Sequence, residues 1–200
     1  MAFRRIAVTE GRTRRPRLIH LNGPAGIGKS TLAERWVAEH PLTLNCDVDV
    51  LRGLIGSGQR LPEAMALSRT TAIALITAHL TEGYDVVLPQ LVARADQLER
   101  FAGAAAGAGA DYVEVMLLEA SGDPDTAVAR FHRRGDDGWH REVRDLVAAQ
   151  GGDAMLRSRY AALVDLVRQR PEAIVLSSVE GDPDATYRQL LDAVDGPRST

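Results

Sequence analysis

The chain almost lacks lysine. Lysine and arginine together number 24, and Lys29 is the sole lysine. Cysteine is as scarce. Cys46 stands alone, so no disulfide can form within the chain, which fits a reducing, cytoplasmic setting. No apolar run approaches the roughly 20 residues of a membrane-spanning helix. Aromatics make up 4% and the net charge is −3. A basic groove studded with stacking rings, as single-stranded nucleic acid needs, is therefore not expected. The histidines (His20, His40, His79, His132 and His140) lack zinc-ligand spacing. No internal repeat and no interdomain linker stand out. What remains is an ordinary globular composition, 45% hydrophobic and 26% charged, enough to bury one sizeable core.

The first residues carry Arg4, Arg5, Arg12, Arg14 and Arg15 against Glu10, with no apolar segment behind them as in a secretory signal. Residues 1–16 read as a solvated, flexible basic arm and 17–197 as one domain. From Arg17 onward, short apolar runs alternate with helical spacing. Strands are predicted at 17–22, 42–46, 84–88, 112–118 and 173–176. Helices are predicted at 29–40, 50–82 with a break near Gly56-Ser57-Gly58, 95–108, 123–134, 139–149, 153–169 and 184–194. Pro41 stops the first helix, and Pro62 suits a first turn. This alternation predicts an α/β three-layer sandwich: a five-stranded parallel sheet with helices on both faces and right-handed crossovers.

Gly23-Pro24-Ala25-Gly26-Ile27-Gly28-Lys29-Ser30 satisfies G-x-x-x-x-G-K-[ST] between a predicted strand and helix. Each residue type has a task. The glycines admit unusual backbone angles and let amides approach an anion. Successive N–H groups, including those of Ala25, Gly26 and Ile27, form a nest at a helix N-terminus. Lys29 reaches the β- and γ-phosphates, the Ser30 hydroxyl suits Mg²⁺, and Thr31 can bond the α-phosphate. The expected ligand is ATP with Mg²⁺. Guanine-specific GTPases use an N/T-K-x-D element, which needs a second lysine. No LSGGQ-like segment is present either. The third strand ends in Pro89-Gln90 rather than the Asp-Glu of ATP-hydrolysing motors, and Glu119 after the fourth strand is a poor substitute.

The second strand is followed by Asp47-Val48-Asp49 and then Arg52. Together with the loop, this resembles the small P-loop kinases, a group that includes gluconate and shikimate kinases, chloramphenicol phosphotransferase and polynucleotide 5′-kinase modules. Asp49-Val50-Leu51-Arg52 is similar to the D-x-x-R element of the polynucleotide-kinase branch. That resemblance implies Asp49 as catalytic base and Arg52 as a phosphate contact. It also implies a short helical lid, here at about 130–145, whose arginines would be Arg130, Arg133 and Arg134. A carboxylate at the C-terminal end of a strand faces the ligand crevice of an open α/β sheet, which suits Asp49 on physical grounds too. Asp47 is the alternative base, or a helper at the metal, and either aspartate could instead cap the next helix.

Asp47, Arg52, Arg69, Gln90 and Arg94 are candidates for the acceptor side. The segment 177–183 is expected beside the adenine. His20 reads as a core histidine and Cys46 as packing. The expected activity is transfer of the γ-phosphate of ATP to a hydroxyl of a small molecule. Two other readings stay open: a polynucleotide 5′-hydroxyl kinase, and a nucleotide-binding regulator or toxin-like module with little turnover.

Overall fold

The computed structural model describes residues 14–56, 60–133, 135 and 138–196. Arg134, and with it that lid expectation, lies outside the described residues. The chain begins its sheet with β1 (Arg17–Asn22), every residue of which is buried. A central strand covered on both faces must be apolar on both, and β1 sorts its side chains by parity. Leu18 enters the core on one face, while Ile19 and Leu21 enter the core on the other.

The elements then follow as α1 (Lys29–Glu39), β2 (Leu44–Asn45), α2 (Val48–Gly53), α3 (Leu61–Thr81), β3 (Val86–Pro89), α4 (Ala95–Gly107) and β4 (Asp111–Glu119). The remainder is α5 (Pro124–His132), α6 (Gly138–Ala149), α7 (Gly152–Arg168), β5 (Ile174–Ser178) and α8 (Pro183–Asp195). All strand pairs are parallel, in the order β2-β3-β1-β4-β5. Helices α1 and α8 cover one face through Leu32, Trp36, Tyr187 and Leu190. The opposite face carries α3, α4 and α7 through Ile76, Leu80, Leu98, Phe101, Leu163 and Leu166. A separate small cluster, Val128, Phe131, Val147 and Leu156, joins α5, α6 and α7 beyond the sheet's C-terminal edge.

Two sequence expectations need correction. The second strand does not run over 42–46. Leu42 has φ of 68° and is exposed, so the chain is still turning there, and only Leu44 and Asn45 pair with β3. The third strand starts at Val86 rather than Tyr84, because Asp85 is engaged at the sheet's lower edge. Its carboxylate accepts from the Arg17 backbone N–H at 2.9 Å and pairs with the Arg17 and Arg14 guanidinium groups at 3.0 and 2.8 Å. Just before β1, two arginines reach the sheet's edge. Arg14 is held by Asp85, and Arg15 reaches Asp111 at 3.4 Å.

Candidate active site

The loop after β1 is built by close approach. Gly23 has φ of 145°, and a Cβ there would stand 2.4 Å from the Leu117 carbonyl oxygen of β4. No side chain fits that gap. At Gly26 the neighbour is α5: a Cβ would lie 3.1 Å from the backbone of Phe131. Gly28 caps α1 in the left-handed region, so the amides that follow turn into the loop. The Lys29 ammonium is buried and donates to the carbonyls of Gly23 and Pro24 at 2.9 and 2.8 Å. These two bonds hold the charge at the mouth of the nest.

The loop is a shared wall between two cavities. One, of about 360 Å³, is bordered by Pro24 and Ala25, by Asp49 and Arg52 of α2, and by Gln90 and Arg94 after β3. Helices α5, α6 and α7 roof it with Val128, Phe131, Val147 and Leu156. The other cavity, of about 260 Å³, is bordered by Gly26, Ile27, Gly28, Thr31, Arg130 and the turn after β5 from Ser178 to Pro183. A nucleotide with its phosphates on the loop and its base toward that turn fits this second space. The first is left for an acceptor facing the γ-phosphate.

The two aspartates part company. Because β2 ends at Asn45, they do not share a strand face. Asp47 becomes the N-cap of α2, its carboxylate accepting from the Asp49 and Val50 N–H groups. The same carboxylate accepts from Ser30 Oγ at 3.2 Å. Asp47 is therefore placed with the phosphate loop and does not line the first cavity. Ser30 and Asp47 together offer hard oxygen donors of the type Mg²⁺ takes. Asp49, two residues on, is exposed, lines the first cavity and pairs with Arg52 at 3.5 Å.

Gln90 and Arg94 line the same cavity as Asp49. Arg94 is exposed and paired with Asp96 at 2.9 Å. Gln90 leaves its buried side-chain Oε1 without a hydrogen-bond donor among the described residues. Glu119, at the end of β4, is committed to Arg130 at 2.9 Å, with both side chains under a tenth exposed. Arg130 also donates to the Ser178 carbonyl at 3.2 Å and to the Ile27 carbonyl at 3.3 Å. These bonds hold the Arg130 guanidinium in place in this structure. It is a fixed strut between α5, the loop and β5, and it borders the nucleotide-side cavity. Arg133 behaves differently. It is exposed at the end of α5 and pairs with Glu180, with its Nε 2.9 Å from Oε1.

Sequence reading passed over Asn22. Its Oδ1 accepts from the Gly23 and Val92 N–H groups at 2.8 and 2.9 Å, and its Nδ2 donates to the Val92 carbonyl at 2.8 Å. It fastens the phosphate loop to the segment that carries Gln90. A polar amide ending an apolar strand was the available signal. Two residues earlier, His20 is fully buried between the Tyr112 hydroxyl and the Gln90 carbonyl, both at 2.8 Å. Burial, aided by the Lys29 and Arg170 charges and opposed by the bond to Gln90, lowers its pKa to about 4. The ring is neutral, with Nε2–H donating to Gln90. Cys46 is a core residue, its thiol pushed up to about 12 by burial and the neighbouring Asp47 charge, and so is inert.

A parallel 2-3-1-4-5 sheet, a phosphate loop after its central strand and a helical roof define the P-loop fold of the small P-loop kinases. The chain belongs to the AAA domain family, whose sequence model matches residues 18–162. Among solved structures it resembles a gluconokinase from Sinorhizobium meliloti 1021, with a TM-score of 0.60 at 17% identity over 91% of this chain and 93% of that one. The tunicamycin resistance protein of Deinococcus radiodurans is similar to the same degree, with a TM-score of 0.60 at 16% identity over 90% and 96% of the two chains. At these identities the likeness is one of fold. No curated protein sequence matches the chain significantly. Among the described residues, no helix is long and apolar enough to cross a membrane.

Proposed function

We infer that the protein transfers the γ-phosphate of ATP to a hydroxyl group of a small molecule. The observation that carries this reading is the meeting of the phosphate loop and Asp49 in one roofed cavity of about 360 Å³. That size suits a small ligand, and the roof leaves little room for a polynucleotide strand. The acceptor hydroxyl oxygen forms the new bond to the γ-phosphorus. The bond from that phosphorus to the β,γ-bridging oxygen breaks, and ADP leaves. The acceptor's proton passes to the Asp49 carboxylate, which Arg52 orients. Lys29 and the loop amides stabilise the charge spread over the transferred group. Ser30 and Asp47 are the residues to hold Mg²⁺, which when bound neutralises phosphate charge. Arg133, at the rim, is the remaining lid candidate.

The test is ATP consumption measured against a panel of hydroxyl compounds. An active acceptor should raise turnover well above the basal rate. Asp49→Asn should lower that stimulated rate by roughly 10²–10⁴-fold while ATP affinity stays within about twofold. If no acceptor stimulates turnover, and Asp49→Asn leaves basal hydrolysis unchanged, the phosphotransfer reading is wrong.

A further inference from the structure

The acceptor cavity is unevenly charged. Among the described residues, Asp49 is its one acidic lining residue, against Arg52, Arg69, Arg94 and Arg159. Two of these arginines are matched, Arg94 by Asp96 and Arg52 by Asp49. The other two have no carboxylate partner among the described residues. Arg159 donates only to the neutral Gln150 side chain, at 2.9 Å. Arg69, half-buried on α3, makes no hydrogen bond or ion pair there. The Arg69 guanidinium, partly withdrawn from water without a counter-charge, is in an unfavourable setting and suited to a bidentate oxyanion, and the exposed Arg159 on the same cavity wall adds a second donor. The buried Gln90 Oε1 adds an acceptor awaiting a donor. The roof opposite is apolar, formed by Val128, Phe131, Val147 and Leu156.

We propose that the acceptor is an amphipathic anion: a hydroxyl compound whose carboxylate or phosphate monoester binds Arg69 and Arg159 and whose apolar body lies under the α5–α7 roof. This rests on the phosphotransfer reading for the role of the hydroxyl, but the anion site stands on its own geometry. Neutral polyols lack a counterpart for the unmatched arginines, and cationic alcohols are repelled by them.

The test uses the full chain saturated with Mg²⁺ and a non-hydrolysable ATP analogue. Ligand-observed NMR would screen a library of aryl and alkyl alcohols, each made as carboxylate, phosphate monoester and neutral carboxamide. The anionic member of a set should bind at least about tenfold more tightly than its amide. The carboxylate and phosphate arms distinguish which oxyanion the site takes. Arg69→Met should weaken the anions by roughly 10–100-fold, Arg69→Lys should restore part of that, and analogue affinity should not move. Arg159→Met serves as the second variant, with thermal unfolding confirming that both variants fold. Amides binding as well as anions would overturn the proposal. So would a silent library, an anion preference intact in Arg69→Met, or a loss of nucleotide affinity in its place. The two readings fail separately. Anions that bind at Arg69 yet are never phosphorylated would remove the phosphotransfer reading alone, whereas phosphorylation confined to neutral alcohols would remove the anion site alone.

Discussion

Replacing Arg130 by Met tests whether the strut under the phosphate loop is fixed structure. The guanidinium and the Glu119 carboxylate are 2.9 Å apart, with side chains 9% and 5% exposed. Removing the cation alone leaves a carboxylate in a dry site, which typically costs about 3–5 kcal/mol. The bonds to the Ser178 and Ile27 carbonyls go with it, although Ser178 Oγ keeps its own bond to Ile27 at 3.0 Å. Against a total stability on the order of 5–15 kcal/mol this is a large fraction. The double variant Glu119→Leu/Arg130→Met removes both charges and packs apolar groups in their place. Such swaps are often neutral, so it should recover all but about 1 kcal/mol of wild-type stability. Urea unfolding with linear extrapolation measures both. Nucleotide affinity should stay reduced even in the double variant, because Arg130 borders the nucleotide-side cavity and reaches the Ile27 carbonyl. A single variant that loses less than about 1 kcal/mol, or a double variant as unstable as the single, would refute the reasoning.

Asp47→Asn keeps a good N-cap, so stability should change by no more than about 0.5 kcal/mol, yet the Mg²⁺ concentration needed for half-maximal turnover should rise several-fold; an unchanged Mg²⁺ titration would separate Asp47 from the metal. His20 makes stability depend on pH. Its folded pKa of about 4 lies below the ordinary 6.5, so the unfolded chain takes up the proton first on acidification. The contribution is complete above pH 6.5, declines as pH falls toward 4 and amounts to about 3 kcal/mol over that window. Urea unfolding at pH 7.5 and 4.5 should show this slope in the wild type and lack it in His20→Gln. Asp85 does not confuse the comparison. Burial works against its charge, but Arg14 and Arg17 outweigh that and hold the carboxyl below its ordinary 3.8, so its share is lost only at lower pH.

The order of elements was legible in the sequence because its signals are local. Apolar runs of five or six residues, helical spacing between them, and Pro41 and Pro62 at helix ends all act over a few residues. Where boundaries moved, a distant partner moved them: Asp85 was drawn out of β3 by Arg14 and Arg17, and β2 was cut to two residues once Asp47 capped α2. The site divides along the same line. Asp49, Arg52, Gln90 and Arg94, which follow strands β2 and β3, line one cavity. For Asp47 and Arg130 the sequence left several roles open, since their partners Ser30 and Ile27 lie 17 and 103 residues away.

By itself, then, the sequence determined the phosphate loop with its single lysine and the alternation that makes a parallel sheet. Those follow from backbone geometry and periodicity, which a short stretch of chain already contains. Only the tertiary structure decided that Asp49 and not Asp47 lines the roofed cavity, that Arg130 is tied to Glu119, Ser178 and Ile27, and that Arg69 and Arg159 reach one cavity without a carboxylate partner among the described residues. Each of these depends on which groups from remote segments come within about 3 Å of one another, and that distance is a property of the packed chain.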